Sequence, residues 1–217
     1  MKRALILSMI LAASALPAFA GPDTAAKPAE QKLAKPGPGT QSVKSANEKI
    51  ASLLKQKAAA GSKEEKVLAT KVTTSVRDFL DIDELGKRAL VDKWAKLTPA
   101  QQTEFLTTLR SLIEDNYVHG LRSNLEYSID YAGETADKDG STIVTTWINT
   151  KRHNRPYKIE VDYVLKRDGD KLKAWDVKTD GVGLVENYRT QFNKIIDRDG
   201  FGGLIAKMKK KQGATGT

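Results

Sequence analysis

The chain has no cysteine and only two histidines among its 217 residues. A disulfide scaffold and a thiolate zinc site are therefore excluded, and a histidine metal site or multi-histidine catalytic centre would need both His119 and His153, distant in sequence, to meet in space. Long apolar runs are equally scarce. The best, residues 4–16, is thirteen residues long, short of the ~20 that a helix needs to cross a bilayer. There is no glycine-rich phosphate loop, no G-x-S-x-G elbow and no H-E-x-x-H pair, so the common sequence-readable enzyme classes are missing. Carboxylate chemistry and cation binding through oxygen remain open.

What the chain does have is positive charge: 36 Lys and Arg against 27 Asp and Glu, a formal net charge of +9. Its distribution decides what it means. Residues 1–46 carry six basic and two acidic residues, and the tail from Lys207 adds four lysines, so the stretch between them is close to neutral. A neutral body does not offer a groove for a phosphate backbone, which argues against nucleic acid as a partner. Basic ends suit solubility or a transient, weak contact with an anionic membrane surface.

Lys2 and Arg3, the apolar run 4–16 and the small-x-small site Ala18-Phe19-Ala20 form the three parts of a secretory signal peptide, with cleavage expected near Ala20. No cysteine follows for lipid attachment. The mature protein is expected to be soluble outside the cytoplasm. Residues 21–44, with Pro22, Pro28, Pro36 and Pro38 and only Leu33 and Val43 as large apolar residues, read as a disordered tether. A single domain is expected over 45–211, followed by a flexible tail, 212–217.

Helical spacing dominates the first half of that domain. Ile50, Leu53 and Leu54, then Val67, Leu68, Val72, Val76, Phe79 and Leu80, recur at helical intervals, with Ser62 and Glu65 placed as a capping box between two helices. A short helix is expected from Asp81 or Asp83 to about Trp94. Thr98-Pro99-Ala100-Gln101 opens a longer one whose apolar face is Phe105, Leu109, Leu112, Ile113, Tyr117 and Leu121. The period then changes. Leu125, Tyr127, Ile129 and Tyr131 alternate with polar residues, as do Ile159, Val161, Tyr163 and Leu165, with further strands over 142–149 and 172–179. Short links, two of them Asp-Gly turns, make successive strands antiparallel neighbours in a four-stranded meander. Two helices follow, divided near Gly200, Gly202 and Gly203. The expected fold class is α+β: N-terminal helices, a twisted antiparallel meander sheet, and C-terminal helices on one face with an apolar cavity between the layers.

Few residues invite chemistry. Asp81, Asp83 and Glu84 cluster as paired carboxylates do, yet they sit at a helix start, where acids are favoured by exposed N–H groups. His153 falls in a polar hairpin and His119 on a helix. Gly200-Phe201-Gly202-Gly203 is glycine-rich without following a strand, which fits a turn better than a phosphate cradle. No catalytic constellation can be assembled, and no cofactor or metal is implied.

The run Asp176-x-x-x-x-Gly181-Val182-Gly183-Leu184-Val185-x-Asn187-Tyr188-Arg189-x-Gln191-Phe192 stands ahead of Leu204-Ile205. With Trp94-x-x-Leu97-x-x-x-Gln101-x-x-x-Phe105 and Tyr117, in that order behind a signal peptide, it resembles the MlaC family of periplasmic phospholipid-binding proteins, also called the toluene-tolerance auxiliary family. The resemblance covers about 47–208. Two departures are Gly183, where the family usually has Ser, and a slightly longer segment before Trp94. The first puts in doubt any hydroxyl contact at that turn.

The resemblance implies a monomeric, non-catalytic periplasmic carrier. It would shuttle phospholipid between an outer-membrane lipoprotein complex and an inner-membrane ABC transporter complex, keeping the outer membrane asymmetric. Inward faces nominate the pocket: Leu109, Leu112, Ile113 and Tyr117 on the long helix, Trp147, Val161, Tyr163, Trp175 and Val177 on strands, and Val185, Tyr188 and Phe192 after the turn. Arg189 is the candidate for a headgroup phosphate. Two other classes stay open: an enzyme for a small hydrophobic substrate with Asp176 or Asp162 as base, and an envelope adaptor or chaperone-like protein with a filled core.

Overall fold

Residues 35–119, 127–152 and 155–215 are described by the computed structural model. The signal-peptide reading, most of the tether, Leu121, Leu125 and His153 lie outside these residues.

Helix α1 spans Pro38–Leu54, with proline in its first turn, where the missing N–H costs nothing. One of its orphan N–H groups is answered from the sheet. Glu134 accepts the Thr40 backbone N–H at 2.5 Å and the Thr40 hydroxyl at 3.1 Å. A side chain at Gly37 would run into that carboxylate, and a Cβ on Gly39 would lie 2.9 Å from one of its oxygens. Folded structure therefore reaches into the stretch 21–44 read above as a tether: α1 begins at Pro38, the Lys35 carbonyl already accepts the Glu134 N–H at 3.3 Å, and Val43 is fully buried. Composition misleads here because the residue that stabilises the helix end lies 94 positions away.

Helix α2, Lys63–Phe79, opens on Ser62, whose hydroxyl accepts the Glu65 N–H at 3.1 Å. It buries Leu68, Val72, Val76 and Phe79. Asp81 caps α3, Ile82–Leu90, and a 3-10 turn, Val91–Lys96, continues to about where the short helix was expected to end. Helix α4, Pro99–His119, begins with a reciprocal box: Thr98 Oγ1 accepts from the Gln101 N–H and Gln101 Oε1 from the Thr98 N–H.

Strands β1 (Ser128–Ala136), β2 (Thr142–Arg152), β3 (Arg155–Asp168), β4 (Lys171–Thr179) and β5 (Val182–Gly183) form one antiparallel sheet in sequence order. It has five strands rather than the expected four, because the Asp180-Gly181 turn lets two further residues pair back on β4. Beside them, Leu80 bridges Ala174 and the Asp81 N–H donates to the Ala174 carbonyl at 2.8 Å, covering more of that edge. Val144, Ile148, Ile159, Val161 and Val177 bury one sheet face under the helices. Helix α5, Leu184–Thr215, lies across the same layer and breaks at Gly200, where φ is 71°. That break divides the two C-terminal helices as the glycines predict. No helix among the described residues is long and apolar enough to cross a membrane.

Candidate functional site

Between the inner sheet face and the helices lies a cavity of about 70 Å³. The sheet contributes Ile129, Ile148, Tyr163 and Val177, with Tyr127 just ahead of β1; the helices contribute Asn47, Ile50, Phe79, Tyr117 and Leu184. Tyr163 is wedged against Phe79, ring centroids 5.7 Å apart. Asn47 is the one amide among the described residues of this wall. Its Nδ2 donates toward the hydroxyls of Tyr131 and Tyr163, each at 3.4 Å, so the polar tips are turned toward one another.

Burial pushes the Tyr117 phenol up to about 12 and raises those of Tyr127, Tyr131 and Tyr163 as well, in the last two against an opposing bond from Asn47. These hydroxyls stay neutral at physiological pH. Among the described residues, no Asp, Glu, Lys or Arg lines the cavity. An apolar and aromatic lining of this kind suits an apolar guest.

The nominated residues divide into three groups. Tyr117, Tyr163 and Val177 meet at the cavity. Leu109, Leu112, Ile113, Val161, Val185, Tyr188 and Phe192 are buried but do not line it. Phe192 stacks on Tyr188 at 4.9 Å and meets Phe105 edge-on at 5.6 Å. Trp147 and Trp175 point elsewhere. Ile148 takes the inner face, so its neighbour Trp147 turns outward beneath the Lys158 ammonium, 4.5 Å from the ring centre. Trp175 sits where the β3–β4 register slips, under the Arg88 guanidinium at 3.9 Å, and donates to Ser141 Oγ. Arg189 is not at the cavity; its Nη2 donates to the Arg88 carbonyl at 3.1 Å, tying α5 to the end of α3.

Sequence reasoning did not nominate Asn47, Ile50, Phe79, Tyr127, Ile129, Ile148 or Leu184. All but Asn47 stand in the apolar patterns, strands or motif it recognised, so the patterns held the signal and the assignment to wall or core did not follow from them. Nothing local marks Asn47.

The acids considered for catalysis are occupied. Asp176 accepts the N–H groups of Val177 at 2.9 Å and Val185 at 3.1 Å, and burial raises its pKa against those bonds. Asp162 accepts from Thr145 Oγ1 at 2.6 Å on the outer sheet face. Asp81 caps α3, while Asp83 and Glu84 pair with Arg110 and Arg88. Among the described residues, no group of three His, Asp or Glu converges as a metal site.

Comparison with known proteins gives two positive findings. The fold is similar to that of the phospholipid-binding protein from Ralstonia solanacearum, solved in complex with a phospholipid. The TM-score is 0.66 at 20% identity, covering 83% of this chain and 100% of that one. No curated protein matches the chain. The MlaC protein family matches residues 44–210, which run from α1 through most of α5 and hold every residue of the cavity wall, and the chain belongs to that family.

Proposed function

We propose that this protein is a periplasmic phospholipid carrier without catalytic activity. It holds acyl chains between sheet and helices and moves lipid between an outer-membrane lipoprotein complex and an inner-membrane ABC transporter complex, which maintains outer-membrane lipid asymmetry. The carrying observation is the sheet–helix cavity, whose wall among the described residues is apolar and aromatic and holds no ionised side chain. Membership of the MlaC family and the likeness in fold to a phospholipid complex support the same reading.

The energetics set the requirement. Two acyl chains hold on the order of 30 methylenes, each worth ~0.8 kcal/mol, so exposing them to water costs about 20 kcal/mol. A lipid crossing an aqueous space needs a dry enclosure. A cavity of about 150 Å³ holds one benzene. The roughly 70 Å³ between these layers is smaller still, so loading requires the helices to part from the sheet. Partner complexes at either membrane supply the contact that opens it.

The test is native mass spectrometry of the mature protein purified from a bacterial envelope without detergent, followed by lipid extraction. A phospholipid at near-unit stoichiometry is the expected result. A lipid-free protein that also refuses added phospholipid would overturn the reading and favour the adaptor.

A further inference from the structure

The β2–β3 hairpin departs from the near-neutral charge of the folded body. Residues 149–159 include Lys151, Arg152, Arg155 and Lys158 and no acid. The pairings Lys151 with Pro156 and Arg152 with Arg155 gather them at the closed end of the β2–β3 hairpin. β1 begins opposite Asn149 and β4 ends opposite Val161, so among the described residues the hairpin runs on past both neighbouring strands. Lys151, Arg155 and Lys158 are exposed. No carboxylate among the described residues pairs with them, whereas Lys93, Lys173, Lys207 and Lys209 are each answered by one.

The place of this hairpin matters as much as its charge. Tyr127 belongs to the cavity wall and is 36% exposed. It directly precedes Ser128, which pairs with Asn149, so it stands beside the start of the projecting hairpin. An exposed ring with a polar tip, next to long cationic side chains, is the combination favoured at the headgroup level of a bilayer. Electrostatic attraction to an anionic leaflet fades within a Debye length of about 8 Å, so it acts on cations clustered at one exposed end of the sheet more than on charges spread over the body.

We infer that the β2–β3 hairpin docks this protein on an anionic phospholipid bilayer, with the Tyr127 side of the cavity toward the headgroups. The inference rests on the carrier reading. It also moves the membrane contact from the basic chain ends to the hairpin. Lys207 and Lys209 in the terminal helix are already engaged by Asp199 and Glu104.

The test is co-sedimentation of the full mature chain with vesicles of phosphatidylglycerol and phosphatidylcholine, or of phosphatidylcholine alone, at low and high salt. The wild type is expected to bind the anionic vesicles only, and to be released by salt. Replacing Lys151, Arg155 and Lys158 together by Gln is expected to weaken binding on the order of a hundredfold, about fivefold per residue. Replacing Lys207, Lys209, Lys210 and Lys211 by Gln should leave it within a few-fold. Thermal melting checks that each variant folds, and the single changes Lys151→Glu and Arg155→Glu repeat the test with less disturbance. Undiminished binding by the hairpin variants would overturn the inference, as would dependence on the terminal lysines or a wild type indifferent to anionic vesicles. Loss of binding to an acidic protein partner with vesicle binding intact would overturn it in favour of a protein surface. Lipid content measured by mass spectrometry on the same preparations tests the carrier reading separately.

Discussion

The carboxylate of Asp176, on β4, accepts the backbone N–H of Val185 at 3.1 Å, in the first turn of α5. A strand thus caps the helix that follows it, and the intervening Asp180-Gly181 turn brings the two together. Glu134 does the same for α1 through Thr40. Both helices that flank the folded body have their N-termini fixed by acids of the sheet, where the positive end of the helix dipole favours negative charge. In both places a glycine lies against the carboxylate: Gly183 at Asp176, Gly37 and Gly39 at Glu134.

Asp176→Ala is expected to cost about 1–2 kcal/mol in denaturant unfolding, the range for losing a helix cap. Asp176→Asn, which keeps an acceptor, should cost much less. Burial raises the pKa of Asp176, outweighing the N–H bonds that lower it. The native state therefore takes up this proton more readily than the unfolded chain, and stability falls with rising pH across the window just above the ordinary aspartate value. Acidification through that window should stabilise the wild type relative to Asp176→Asn. A gap that stays constant with pH would contradict the assignment.

A Cβ at position 183 would lie 2.5 Å from Asp176 Oδ2. Gly183→Ala must then displace the carboxylate from its cap, with an expected loss of about 1 kcal/mol. In the Asp176→Ala background the same change should be nearly neutral. The double-mutant cycle reads this as a coupling, and additive effects would show that the glycine serves some other purpose.

The fold was largely legible because its signals are local. Ser62 with Glu65 and Thr98 with Gln101 mark helix starts within four residues, and the alternation through Ile159, Val161 and Tyr163 marks a strand and its inner face. The Glu134–Thr40 contact spans 94 positions and leaves no local mark, so α1 was expected to begin too late. The site was less legible. Periodicity places Val161 and Tyr163 on the same face, but only the shape of the layers decides that Tyr163 meets a cavity and Val161 does not. The bulge between Tyr131 and Gly133 adds to that shape without a clear sequence cue.

Removing the tether up to residue 34 is expected to leave stability unchanged, whereas removing everything before Ser45 should not. The second deletion takes away fully buried Val43, worth about 1.5–3 kcal/mol. It also leaves half-buried Glu134 without Thr40, at a further cost of about 0.5–1.5 kcal/mol for the lost hydrogen bonding. Equal melting temperatures for the two truncated chains would return residues 38–44 to the tether.

Alkaline titration separates the buried phenols from the others. Burial holds Tyr117 at about 12, above its unfolded value near 10. The native state keeps a proton that the unfolded chain loses, so its contribution is full below pH ~10 and is lost as pH rises toward the folded value. Ultraviolet absorbance should show phenolate appearing in step with unfolding rather than ahead of it, and Tyr117→Phe should reduce the alkaline sensitivity. Free titration of every tyrosine in the folded protein would place these rings in water.

The sharpest division is between cavity wall and core, since both use the same kinds of side chain. Val177 lines the cavity, whereas Leu109 is fully buried against Gly86 of α3 and does not. Val177→Phe should fill the roughly 70 Å³ space and lower the phospholipid content of the purified protein several-fold, with a modest overpacking cost of about 1–3 kcal/mol. Leu109→Ala should behave in the opposite way. It opens a hole away from the ligand, so it should cost about 2–5 kcal/mol of stability and leave the lipid content per folded molecule unchanged. Lipid extraction and melting of both variants decide the matter. If Val177→Phe keeps its full complement of lipid, the acyl chains lie elsewhere between the layers, and the residues nominated around Leu112, Ile113 and Phe192 become the next wall to test.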